Sequence, residues 1–192
     1  VKNNLQTVAA LLRLQARRID SESAKSALEE AVRRVGSIAI VHEILSQAVE
    51  ESVDFDEIAD RLGSMVTDVS AHSDHVRVRR EGSFGTLPSE TATALAMVLT
   101  EVLQNAVEHG YAAGAAEQLG EIRVGVRRLV GRLRMTVDDD GVGLPEGFTL
   151  DGSTNLGLSI VRTLVESELG GQLELGPAPA GGTRAEGDVP LD

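Results

Sequence analysis

The stretch Thr100 to Gly110, TEVLQNAVEHG, sets Glu101, Asn105 and His109 at successive four-residue steps inside an otherwise apolar run. Residues four apart on a helix lie one above the other, so an acid, an amide and an imidazole share one face. An amide oxygen is a hard donor suited to Mg2+, a carboxylate can hold a metal-bound water or take a proton, and an imidazole can donate to a phosphate. The same three residues also suit a buried polar network satisfied by neighbouring backbone, and the spacing leaves both readings open.

Three further stretches carry polar or glycine-rich chemistry. In DDGVG, Asp139 to Gly143, a carboxylate at a strand end can accept a hydrogen bond from an amino group. Gly141 and Gly143 permit positive φ and close approach of a ligand, although an ordinary strand-exit turn reads the same way. In STNLGLSIV, Ser153 or Asn155 can cap a helix whose first turn holds Gly157. The free N–H groups and dipole of such a terminus seat a phosphate, or simply start a helix. In GGTR, Gly181 to Arg184, Thr183 could donate or accept near a base, and a plain loop glycine pair is the alternative.

These residues need elements to hold them. Pro88-Ser89-Glu90 opens the helix that carries Asn105, and Gly110 ends it. Alternation in Val76 and Val78, in Ile122, Val124 and Val126, and in Leu133, Met135 and Val137 predicts strands, the last two joined as a hairpin near Val130-Gly131. A strand around Leu173 to Leu175, a turn from Gly176 to Gly182 and a last strand to Val189 complete helices laid over one face of an antiparallel or mixed sheet. Gly187 stands in that last strand where an apolar residue is usual, so loose packing is expected there.

The first fifty residues follow another period. Leu5, Val8, Leu12 and Ile19 form one stripe; after an N-cap at Asp20-Ser21, a second runs through Ala24, Leu28, Ala31, Val35, Ile38, His42, Leu45 and Val49. Two helices cannot surround such a seam, so a second copy is expected to complete a four-helix bundle, with His42 as a structural core residue; packing of the hairpin on the rest of its own chain is the alternative. The pattern breaks at Glu50 to Asp54, read as a hinge and boundary, before a helix with the stripe Phe55, Ile58, Leu62, Met65, Val66 and Val69. The fold class is thus α+β: a helical hairpin over 1–50, then an α/β sandwich over 55–192.

Composition narrows the functions. A net charge of -12 argues against nucleic acid or an anionic membrane as a direct partner, and one Tyr, three Phe and no Trp leave few stacking platforms. With no cysteine, thiolate chemistry is excluded within this chain, which suits a cytoplasmic setting. No apolar run approaches the roughly 20 residues that span a bilayer. A start at Val1 rather than Met reads as that of a fragment.

Taken in order, Glu-x-x-x-Asn on a helix, Asp-x-Gly-x-Gly after a strand, Gly-Leu opening a helix and Gly-Thr before a final strand resemble the motifs of the GHKL, or Bergerat, ATP-binding fold of histidine kinases, gyrase-type ATPases and Hsp90-type chaperones. The hairpin, VKNNLQTVAALLRLQARR then ALEEAVRRVGSIAIVHEILS, resembles the dimerisation and phosphoacceptor module of a histidine kinase subfamily whose motif reads His-Arg-Val-Lys-Asn-Asn-Leu-Gln. Among histidine kinases it most resembles soluble actinobacterial sensor kinases that signal to RNA-binding antiterminator regulators.

The resemblance implies ATP and Mg2+ as cofactors, a homodimer through the N-terminal helices, and a response regulator receiver domain as partner. It implies that Asn105 coordinates the metal and that Glu101 orients a metal-bound water or acts as a base. His109, Asn155, Leu156, Gly157 and Leu158 would border the phosphates; Asp139 would accept the adenine amino group; Gly141, Gly143 and Thr183 would shape the purine pocket. The segment from Gly143 to Asn155 corresponds to the ATP lid. The subfamily's phosphorylated His would precede Val1, and Glu108 replaces a Lys common in relatives. A GHKL-fold ATPase or serine kinase, or a non-catalytic dimeric module, are the rival functions.

Overall fold

The computed structural model describes residues 52–69, 76–111, 119–150 and 156–191, with scattered positions between 7 and 43. The chain divides into two compact units, Val1–Glu51 and Ser52–Asp192.

In the first unit the described positions are helical on either side of Ser21, whose hydroxyl and carbonyl oxygens accept from Ala24 N–H at 3.5 Å and Lys25 N–H at 2.9 Å. This is the N-cap expected at that turn. Burial along the expected stripes is uneven in the single chain. Val32, Ala39 and Val41 are buried, whereas Ile38 and His42 are exposed, as are Val8, Leu11 and Leu14. A heptad stripe records which side chains seek cover, and among the described residues of one chain none covers these. His42 is exposed in the single chain, so its expected core position would depend on the second copy.

The second unit begins with β1 (Ser52–Asp54), which runs straight into α1 (Phe55–Val69); β2 (Val76–Glu81) and β3 (Thr86–Pro88) precede the long α2 (Ser89–Gly110). β4 (Gly120–Leu129) and β5 (Arg132–Asp139) form a hairpin, followed by α3 (Leu156–Thr163), a π-helical turn (Leu164–Glu168), β6 (Gln172–Pro177) and β7 (Thr183–Pro190). Five strands make one mixed sheet in the order β2-β4-β5-β7-β6, in which only β2 and β4 run parallel.

The helices cover one face of that sheet. α1 packs on β2 and α2, α2 on β5 and β7, and the π-helical turn on α2 and β6. Alternation supplies the sheet's half of the core, with Ile122, Val124, Val126, Leu133, Met135, Val137, Ala185 and Val189 buried. Phe55, Ile58, Leu62 and Val66 supply the stripe of α1.

Several expectations are corrected. Ser52–Asp54 is not a hinge segment but a strand, antiparallel to Thr86–Pro88, and belongs to the second unit. β6 extends to Pro177, leaving a tighter turn closed by Ala178 N–H to Gly182 O and Gly181 N–H to Ala178 O, both 3.1 Å. Gly187 leaves no looseness: it pairs with Met135 and Leu173 across both neighbouring strands, and the Met135 methyl group fills the space beside it.

Candidate functional site

α2 runs along one wall of a cleft of about 330 Å3 and the ends of β5 and β7 form the other. Val102, Ala106, Val137, Leu173, Leu175 and Ala185 line it with apolar surface, and Asn105, His109, Asp139 and Thr183 bring polar groups to it. Of the predicted residues, Asn105, His109, Asp139, Gly143, Leu158 and Thr183 meet in this one cavity.

The helical face bearing the three polar side chains is graded. Glu101 is buried in α2, Asn105 is half-buried at the cleft wall, and His109 is exposed at its rim. Glu101 does not line the cavity and has a polar partner of its own within the structure. Asn105 Nδ2 is the buried side-chain polar atom without any hydrogen-bond partner among the described residues. Such orphans cost free energy and are rare in folded chains unless a ligand completes them.

Asp139 faces Asn105's cavity from the end of β5 and is 5% exposed. Its Oδ1 accepts from Gly141 N–H at 3.0 Å and from Thr183 N–H at 3.2 Å, while no described group donates to Oδ2. Burial pushes the carboxyl above its ordinary value, and the charges of Asp140 and Asp138 add to this, against the two N–H bonds that lower it. The adjacent acids are differently engaged: Asp138 takes a two-pronged pair from Arg184 at 2.6 and 2.5 Å, directly across the strands, and Asp140 is bound by Tyr111.

The glycines divide their work. Gly143 has φ +79°, the conformation expected of it. Gly141 does not; a Cβ there would stand 2.1 Å from Gly110 O, so it serves the close packing of this loop on the end of α2, sealed by Val142 N–H to Gly110 O at 3.0 Å. The absence of a side chain at Gly141 is thus required by the chain's own packing. Gly182 is equally constrained, since a Cβ would lie 2.1 Å from Asp139 O.

Gly157 and Leu158 occupy the first turn of α3, and Leu158 lines the cleft. Asn155 lies outside the described residues, as does Ser153, and of Leu156 only the backbone is described. Phe148 and the floor residues of β6 and β7 escaped the sequence reading. The period-two pattern of Leu173, Leu175 and Ala185 carried the signal for the floor, whereas nothing local marks Phe148.

A match to the histidine kinase-, DNA gyrase B- and HSP90-like ATPase family model spans residues 90–192, and a histidine kinase model matches residues 1–70. The chain belongs to the histidine kinase family. Histidine kinases named sensor histidine kinase PdtaS, from Mycobacterium tuberculosis and Mycolicibacterium smegmatis, are 50% and 49% identical to it over 191 residues. The match takes in all of this chain and 38% of each relative, so the chain spans little more than a third of their length. The histidine kinase domain of the blue-light-activated kinase EL346 of Erythrobacter litoralis shares its fold, with a TM-score of 0.71 and 23% identity over 98% of this chain and 96% of that one. Among the described residues no helix is long and apolar enough to cross a membrane, and no cluster of three or more His, Cys, Asp or Glu could by itself hold a metal.

Proposed function

We propose that the chain is the catalytic core of a two-component sensor histidine kinase acting in the cytoplasm. Its second unit binds ATP with Mg2+, and its helical unit, as a homodimer, builds the bundle that supports the histidine of the family's His-Arg pair, which the motif sets before Val1; that histidine takes the γ-phosphoryl group before an aspartate of a response regulator receiver domain receives it. The observation that carries this is the opposition, across one apolar cleft, of two half-satisfied polar groups: the Asn105 amide nitrogen and one Asp139 carboxylate oxygen, neither engaged by any described group.

Asp139 Oδ2 suits the exocyclic amino group of adenine, and it would repel the carbonyl oxygen that guanine carries there. The apolar floor suits a purine face. Asn105 and Glu101 have the donor chemistry to hold Mg2+, which prefers one or two protein oxygens with water and phosphates to an all-protein cage. Bound there, the ion would neutralise charge on the phosphates. His109 at the rim and the first turn of α3 suit the phosphate chain.

In the transfer, the lone pair of a neutral imidazole nitrogen attacks the γ-phosphorus, the bond to the β-phosphate oxygen breaks and ADP leaves. The chain's contribution is to hold donor and acceptor in line. The uncovered Val8, Leu11, Leu14 and Ile38, 37 to 57% exposed, support the dimer.

A chain extended upstream through the expected His-Arg pair, incubated with γ-labelled ATP, is expected to take up label that acid removes. Acid-stable phosphoserine would point instead to a serine kinase of the same fold. No rise in the thermal midpoint under millimolar Mg-ATP would point to a non-catalytic module, because binding to the folded state must stabilise it.

A further inference from the structure

Tyr111 caps α2 immediately beyond His109 and Gly110, and its ring lies on Gly120, where a Cβ would stand only 2.3 Å from the ring. Its hydroxyl stands between two acceptors, Asp140 Oδ1 and the Glu121 carbonyl oxygen at 3.0 Å. Asp140 Oδ1 also accepts from Glu121 N–H at 2.9 Å, and Asp140 N–H lies 3.4 Å from the hydroxyl oxygen. One phenol and one carboxylate thus join three chain segments: the end of α2, the start of β4 and the residue where β5 leaves the sheet.

The place of this hub gives it reach. The β4–β5 ladder ends at the pair Ile122 and Asp139, so Asp140 is the first residue beyond it and Gly141 the second. Asp139 precedes the hub in β5, and the Gly141–Gly110 contact follows it. Burial, and then the carboxylates of Asp140 and Asp139, push the Tyr111 phenol up, so it remains a donor throughout the working range of pH.

Hydrogen bonds among partly exposed groups contribute little to folding, whereas a displacement of about 1 Å at a binding or reacting centre can cost far more. We infer that Tyr111 and Asp140 are positioning residues of the nucleotide site: they fix the free oxygen of Asp139 against Asn105 and His109 across the cleft, and thereby set the preference for adenine over guanine. This rests on the nucleotide reading of the cleft given above.

Tyr111→Phe keeps the ring on Gly120 and loses only the hydroxyl. Asp140→Asn keeps an acceptor oxygen, and Asp140→Ala removes it. ADP and GDP affinities of the full chain, measured by calorimetry, and the thermal midpoint without nucleotide separate the roles. Tyr111→Phe and Asp140→Ala are expected to weaken ADP about fivefold or more and to narrow the ADP-to-GDP ratio, with the midpoint within about 2 °C of the parent, while Asp140→Asn recovers most of the affinity. Unchanged ADP affinity and an unchanged ratio in both variants would overturn the inference, whatever happens to the midpoint. A parent chain that bound neither nucleotide would remove the nucleotide reading and this inference together; a parent that binds while the variants match it would remove the inference alone.

Discussion

Two carboxylates at element ends, Asp56 at the start of α1 and Asp139 at the end of β5, show how one side chain serves opposite purposes. Both oxygens of Asp56 are engaged: Oδ1 accepts from Phe84 N–H at 2.8 Å and faces Arg80 at 3.2 Å, and Oδ2 accepts from Ser83 Oγ at 2.5 Å. Burial works against its charge, but those hydrogen bonds and the guanidinium win and hold it below the ordinary value. Phe55 and Phe84 meet edge to face beside it, with ring centres 4.8 Å apart. Among the described residues Asp139 has one oxygen engaged and no cation beside it, with two acids as chain neighbours and a pKa pushed up. A closed network fastens a fold, and an open one waits for a ligand.

Three substitutions test that contrast, the largest effect first. Asn105→Ala should reduce nucleotide-dependent phosphorylation by about 100-fold or more while leaving the apo midpoint unchanged or higher, because it removes an unsatisfied buried donor. A loss of midpoint matching the loss of activity would make Asn105 a structural residue. Asp56→Ala should cost about 2 kcal/mol in urea unfolding with no change in the ADP affinity of the folded protein. Because its folded pKa is depressed, the stability it contributes is present above the unfolded value and lost as pH falls through the lower folded one, so parent and variant should converge in acid.

Asp139→Asn inverts the pattern. ADP affinity should fall about tenfold, the loss of one charged hydrogen bond. A raised folded pKa means that the contribution of Asp139 to stability is full below its unfolded value and is lost as pH rises through the folded one. The variant should therefore be as stable as the parent in acid and equal or more stable at neutral pH, read by thermal unfolding across that range. Destabilisation of the variant at neutral pH would break the comparison between the two acids.

What the sequence revealed and what it hid follow one physical divide. Long periodic elements were legible: α2 with its glycine stop, the β4–β5 hairpin and the stripe of α1 all carry their signal within a few residues. β1 and β3 are three residues each, too short to alternate, so β1 was read as part of a hinge and β3 left unmarked. Asn105, His109, Asp139 and Thr183 were found because their types are unusual where they stand, while Tyr111 and Asp140, 29 residues apart, have a bond that no local spacing announces. His42 fits a heptad by arithmetic, but among the described residues of one chain none covers it.

The single parallel pairing in the sheet has a consequence for how the molecule assembles. β4 and β5 close through a two-residue connection, whereas Val76 of β2 pairs with Gly120 only after the whole of α2 has been laid down between them. Closing that long excursion carries a chain-entropy cost that the hairpin avoids. The hairpin is thus the pairing of lowest closure cost, whereas β5 and β7, whose ends form the far wall of the cleft, meet across a separation as long as that between β2 and β4, so that wall too depends on a non-local closure.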